Sequence, residues 1–123
     1  MTLRYSKAPS TRQLKVGELI KRIVSDIFIK EGMEMPTGGI LTIAEARISA
    51  DLSAVTIFWT LLNNDSNLDD KKLVRKYLDD KTPFIRKMMS QKIILKKMPH
   101  LRFVEKKAED SIDKLYCILS NIK

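Results

Sequence analysis

A chain of 123 residues, 44% hydrophobic and 31% charged, is long enough to bury one core and too short to split comfortably into two, so it reads as one globular domain. No apolar run approaches the roughly 18 to 20 residues that a membrane span requires. With 23 basic against 15 acidic residues, the net charge of +8 suits a polyanionic partner.

The first ten residues are polar and basic, without the apolar stretch and small-residue cleavage site of a secretory signal. They predict a flexible lead segment over 1–10, a cytoplasmic protein and a single domain over 11–123. From residue 16 the apolar positions Val16, Leu19, Ile20, Ile23, Val24, Ile27 and Phe28 alternate spacings of three and one, one unbroken stripe on a helix. Ser10 or Thr11 can cap its start and Gly32 can end it, while Arg12, Lys15, Lys21 and Arg22 lie off the stripe.

A Gly- and Pro-rich turn over 32–39 leads into β-branched residues, and 40–48 and 54–62 read as two strands. In the second, Val55, Ile57, Trp59 and Leu61 alternate with Thr56, Phe58 and Thr60. The polar connection at 49–53 is too short for a parallel crossover, so the two strands pair as an antiparallel hairpin. After a polar loop at 63–67, residues 69–80 predict a helix with Leu73, Val74, Tyr77 and Leu78 on one side.

Pro83 removes a helical hydrogen bond, and Thr82-Pro83 is a good cap and first-turn pair, which predicts a break or kink at 81–83 and a new helix beyond it. That helix carries Phe84, Ile85, Met88, Met89 and Ile93 inward and Arg86, Lys87 and Lys92 outward. Pro99 stops it. Leu101, Phe103 and Val104 supply a third strand with Arg102 facing out, and Ile112, Leu115, Ile118, Leu119 and Ile122 form a last helix capped by Asp110 or Ser111. The order is α-β-β-α-kink-α-β-α, an α+β domain in which helices cover one face of a three-stranded sheet.

Charge is distributed unevenly along this order. Residues 1–30 carry +5, residues 31–80 carry −4, residues 81–107 carry +8 and residues 108–123 carry −1. The 81–107 stretch holds nine basic residues against Glu105 alone, enough to neutralise several phosphates at once. Charge by itself leaves open both a nucleic-acid patch and the solvated face of an amphipathic helix.

Enzymatic chemistry finds little footing. The adjacent glycines Gly38-Gly39 open a strand rather than a helix, so they make no phosphate loop. His100 is the only histidine and Cys117 the only cysteine, which leaves no cluster at zinc spacing and no nucleophile with a base. Cys117, among Leu115, Ile118 and Leu119, reads as a buried thiol that forms no internal disulfide. The pairs Asp69-Asp70 and Asp79-Asp80 diverge on a helix and read as solvated charge. Met88 and Met89 fall on an apolar stripe as core filler. Trp59, Phe58 and Tyr5 are candidates for stacking on bases, with burial the better account of Trp59, and so few exposed aromatics favour contacts to phosphate and RNA shape.

The segments Arg12-Gln13-Leu14-Lys15-Val16-Gly17-Glu18-Leu19-Ile20, Ile48-Ser49-Ala50-Asp51-Leu52, Pro83-Phe84-Ile85-Arg86 and Pro99-His100-Leu101-Arg102-Phe103, in this order and spacing, make the chain resemble the ribosome-binding factor A family over nearly its whole length. That resemblance implies a type II KH-like fold and binding to the immature small ribosomal subunit near its 16S rRNA. It also implies a role in late maturation, including 5′-end processing of the rRNA, and in growth in the cold. Neither an enzyme activity nor a cofactor or metal is expected, and the protein is expected to be a monomer.

The chain departs from the family at one place. Where the resemblance calls for an Ala-x-Gly kink, Lys81-Thr82-Pro83 stands, without the glycine or a Pro83 amide donor. Lys81 can supply a side-chain contact to phosphate there instead. The family's second basic position in the first helix is usually Arg and is Lys15 here, which keeps the charge and loses the bidentate fork. The expected RNA contacts are Arg12, Lys15, Arg22, Lys81, Thr82, Arg86, Lys87, Lys92, Lys96, Lys97 and Arg102. The rival reading is a module whose basic surface meets an acidic protein.

Overall fold

The computed structural model describes residues 9–30, 40–62, 68–107 and 110–120. Their order is α1 (Thr11–Lys30), β1 (Ile40–Ile48), β2 (Ala54–Leu62), α2 (Leu68–Ser90), β3 (His100–Glu105) and α3 (Ile112–Ser120). Residues 1–8 with Tyr5, the turn at 32–39 with Gly32, and the loop at 63–67 lie outside the described residues.

α1 begins at its best cap. Ser10 Oγ accepts from the Gln13 amide at 3.1 Å and Gln13 Oε1 accepts from the Ser10 amide at 2.9 Å, a reciprocal pair that satisfies donors the helix start leaves free. Gln13 Nε2 also donates to the Ile48 carbonyl at 3.1 Å, which ties the first turn to the end of β1. Ile20, Ile23, Val24 and Ile27 of the stripe are buried. Gly17 sets how close the helix can come to the sheet, because a Cβ there would lie 2.7 Å from the Ala46 carbonyl oxygen.

β1 and β2 pair antiparallel, Ile40 opposite Leu62 and Ile48 opposite Val55, with a register shift between Ile43 and Glu45. Both strands have the bounds read from the sequence. β3 runs parallel to β2, with Ala54 opposite His100 and Trp59 opposite Glu105, in the sheet order β1-β2-β3. Such a pair needs a long crossover, which α2 supplies. One sheet face, with Ile43, Ala46, Ile48, Val55, Ile57 and Trp59, packs on α1 and on Val74, Leu78, Ile85 and Met89 of α2. Trp59 is fully buried, and its Nε1 has no hydrogen-bond partner among the described residues, which costs about 1–3 kcal/mol against the large apolar area it buries.

α2 is continuous from Leu68 to Ser90 with Pro83 inside it, so of the break or kink expected at 81–83 there is no break. Val74 and Leu78 before the proline and Ile85 and Met89 after it are all fully buried, so one apolar stripe holds both halves on the sheet. Thr82 does not cap a new helix. Its Oγ1 turns back and donates to the Leu78 carbonyl at 2.8 Å.

The second sheet face is covered too. Thr56 and Phe58, which alternate with Val55, Ile57 and Trp59 along β2, are 3% and 0% exposed. The register sets Arg47 and Arg102 beside Thr56, and Glu45 and Val104 beside Phe58. Arg47 pairs with Glu45 on its own strand, donates to Asp113 at 2.6 Å and lies 5.9 Å from the centre of the Tyr116 ring, so α3 is tied to this face. Burial works against the Arg47 charge, yet the hydrogen bonds to Glu45 and Asp113 outweigh it and hold its pKa above the ordinary guanidinium value. α1 and α2 thus cover one face as expected, while α3 contacts the other. Ser111 rather than Asp110 starts α3, its carbonyl accepting from the Leu115 amide at 2.9 Å and its Oγ from the Lys114 amide at 3.4 Å.

Candidate nucleic-acid interface

The fold separates the expected contact residues into three groups. Arg12, Lys15 and Arg22 are exposed and, three and seven residues apart, share one flank of α1. Lys87 in the last turn of α2 and Lys92, Lys96 and Lys97 in the segment that follows are all exposed. Arg102 is exposed but donates to Thr56 Oγ1 at 2.9 Å on the sheet face opposite α1 and α2. Arg102 therefore lies on a different sheet face from the one covered by α1 and α2.

Two expected contacts are engaged within the protein. Arg86 donates Nε to the Pro99 carbonyl at 3.2 Å and one Nη to the Met98 carbonyl at 3.1 Å, so its fork holds the segment that enters β3. Thr82 spends its hydroxyl on Leu78. Lys81 is exposed with its Nζ 5.7 Å from the centre of the Tyr77 ring, and the exposed carboxylates Asp79 and Asp80 precede it, which weakens the local positive field. The stacking candidates Trp59 and Phe58 are both fully buried and cannot reach a base.

Residues 91–99 contain three lysines and no acid. The helix end is closed by the Lys92 and Ile93 amides on the Met89 carbonyl at 2.9 and 3.0 Å and by Ser90 Oγ on the Lys87 carbonyl at 2.6 Å. Ile93 and Pro99 are buried, and Leu95 and Met98 pack against the core. Lys92, Ile94, Lys96 and Lys97 are left on the outside. The acid of the basic stretch, Glu105, is drawn away from it: its carboxylate, 8% exposed, pairs with Lys71 at 2.8 Å and Arg75 at 3.9 Å.

Sequence reasoning missed two features here. Ile94 is 99% exposed, although it lies in the apolar triplet Ile93-Ile94-Leu95; three consecutive apolar residues outside a helix cannot all face one core, and that was the available signal. The brace made by Arg86 had none, since its partners are main-chain carbonyls twelve and thirteen residues away.

Lysines on a surface loop and a helix flank present positive charge to solvent without a pocket of converging catalytic groups among the described residues. Among the described residues no group of His, Cys, Asp or Glu side chains is arranged to hold a metal ion, and no helix is long and apolar enough to cross a membrane. The mixed three-stranded sheet with two helices on one face defines a small α+β domain. The chain belongs to the ribosome-binding factor A family, whose profile matches residues 12–119.

It is 38% identical over 111 residues to ribosome-binding factor A of Rhodopseudomonas palustris strain TIE-1, with 86% of this chain and 78% of the relative covered. It is 32% identical over 117 residues to that of a Chelativorans species, with 93% and 84% covered. The crystal structure of ribosome-binding factor A from Thermus thermophilus superposes with a TM-score of 0.63 at 13% identity, over 76% of this chain and 94% of that one. The T. thermophilus protein as fitted into the cryo-EM map of a 30S–RbfA complex superposes with a TM-score of 0.62 at 15% identity, over 80% and 99%.

Proposed function

We propose that this protein is a non-catalytic assembly factor that binds the immature small (30S) ribosomal subunit on its 16S rRNA, as a cytoplasmic monomer. Its role is in late maturation, including processing of the rRNA 5′ end, and in growth in the cold. Membership of the family supports this partner, as does the 30S complex of the T. thermophilus relative. The observation that carries the RNA reading is the run from Lys87 to Lys97, with four exposed lysines and no acid, because cations gathered on one segment release several counterions from phosphates together. Arg12, Lys15 and Arg22 add a second, weaker basic strip, interrupted by the exposed Glu18 between Lys15 and Arg22. Lys81 adds a weaker contact beside its acids, and Arg102 a contact on the far sheet face.

The mechanism is selective binding. A ligand shifts a conformational equilibrium only by its differential affinity for the two states, so a factor that holds one rRNA arrangement promotes maturation without breaking a bond. Cleavage then belongs to a nuclease.

Replacing Lys87, Lys92, Lys96 and Lys97 together by Glu is expected to lower co-sedimentation with small subunits by roughly a hundredfold or more, since four attractive phosphate contacts become repulsive. The circular dichroism spectrum stays unchanged because all four side chains are exposed. Unchanged binding overturns the reading, and wild-type binding that is flat with added salt points to a protein partner instead.

A further inference from the structure

Ile94 is the most exposed large hydrophobic residue among those described, at 99%, and it sits at the outer side of a segment whose neighbours are fixed. Ile93 before it is buried, Leu95 after it packs on the core, and Arg86 grips the carbonyls of Met98 and Pro99. Lys92 stands two residues before it, and Lys96 and Lys97 stand two and three residues after it, all exposed. A single exposed isoleucine on a helix needs no explanation. One held at the outside of a braced loop, with cations on both sides and no acid in residues 91–99, has a defined chemical setting.

We infer that residues 91–99 form a recognition loop for an unpaired element of RNA, with Lys92, Lys96 and Lys97 on the phosphates that flank one unstacked nucleotide and Ile94 against that nucleotide's base or sugar. The inference rests on the RNA reading above and adds which part of the RNA is recognised. A paired A-form helix stacks its bases away from an aliphatic side chain, whereas a loop or bulge exposes a base face that isoleucine can cover. Aliphatic side chains, isoleucine among them, are known to wedge between base steps in duplex DNA beside Lys and Arg contacts, so apolar contact with a base face is within isoleucine's chemistry. Protein interfaces, by contrast, are depleted in lysine and anchored by aromatic side chains or arginine, and this loop has neither.

The test measures binding of the full chain to two synthetic RNAs by fluorescence anisotropy: a fully paired duplex, and the same duplex interrupted by an internal loop. Wild type is expected to prefer the interrupted RNA by roughly three- to tenfold, the effect of burying about half an isoleucine side chain. Ile94→Ser abolishes that preference and leaves duplex affinity and its salt dependence unchanged, while Lys96→Gln with Lys97→Gln weakens binding to both RNAs and flattens the salt dependence.

Retention of the preference by Ile94→Ser, or its absence from wild type, overturns this inference while salt-dependent binding to both RNAs leaves the assembly-factor reading intact. Wild-type binding to neither RNA overturns both. Because Ile94 is almost fully exposed, its replacement leaves the fold in place, which the thermal midpoint verifies.

Discussion

The two connections at 49–53 and 91–99 solve the same problem in opposite ways. In the hairpin connection the polar side chains serve the loop itself. Ser49 Oγ accepts from the Ser53 and Ala54 amides, both at 3.1 Å, and Asp51 Oδ1 accepts from the Ser49 and Ser53 hydroxyls, both at 2.7 Å. That network holds Leu52 at φ 61°, a left-handed conformation that costs a residue with a Cβ about 1–2 kcal/mol. Its hydrogen-bonding side chains are spent on shape. Residues 91–99 are instead held from a distance, by Arg86 on two carbonyls and by apolar anchors, so their lysines stay free to point outward. Among the described residues, the side chains of the loop braced by a neighbouring helix make no hydrogen bonds that fix its shape, whereas those of the hairpin connection do.

The sharpest way to break this contrast is at Arg86. Arg86→Ala is expected to destabilise the protein by about 2–3 kcal/mol in urea unfolding, the usual scale for two hydrogen bonds from a charged donor. Arg86→Lys keeps the charge, cannot span both carbonyls and restores about half of that loss. If Arg86 were instead a phosphate contact alone, both variants would unfold like wild type.

The hairpin connection is tested by Ser49→Ala, which removes the acceptor for two backbone amides and is expected to cost about 1 kcal/mol in the same assay. Its binding to small subunits stays at the wild-type level. The smallest effect concerns Asp51, whose pKa is pushed down to about 2 by hydrogen bonds from the Ser53 and Ser49 side chains and the Ser53 amide. A depressed carboxylate favours the folded state above its unfolded pKa, near 4, and loses that contribution as pH falls toward 2. The carboxyl carbon resonance of Asp51, followed by NMR, is expected to titrate with a midpoint near 2, and a midpoint near 4 would show that the network does not form.

Much of the architecture is legible in the sequence because its signals are local. The first helix has a stripe and a cap that act within a few residues, the first hairpin strand is rich in β-branched residues, and the second alternates up to a polar end. What the sequence hides depends on partners far along the chain. Phe58 and Thr56 alternate with Val55, Ile57 and Trp59, yet they too are buried, on a face that α3 approaches through Arg47 and Asp113, sixty-six residues apart. Pro83 reads as a break or kink, and buried residues on both sides keep α2 one continuous helix on the sheet.

The basic stretch is equally mixed. Its charge is plain from composition. Its division is not, because Arg86 turns inward to the main chain and the parallel pairing of β3 with β2 carries Arg102 to the far face.

If Lys92, Lys96 and Lys97 meet RNA phosphate, they set the salt dependence of binding to purified immature small subunits. Replacing all three by Gln is predicted to reduce the slope of log affinity against log salt by about two, near the 0.7 expected for each contact to unpaired RNA. A slope identical to wild type would contradict the account.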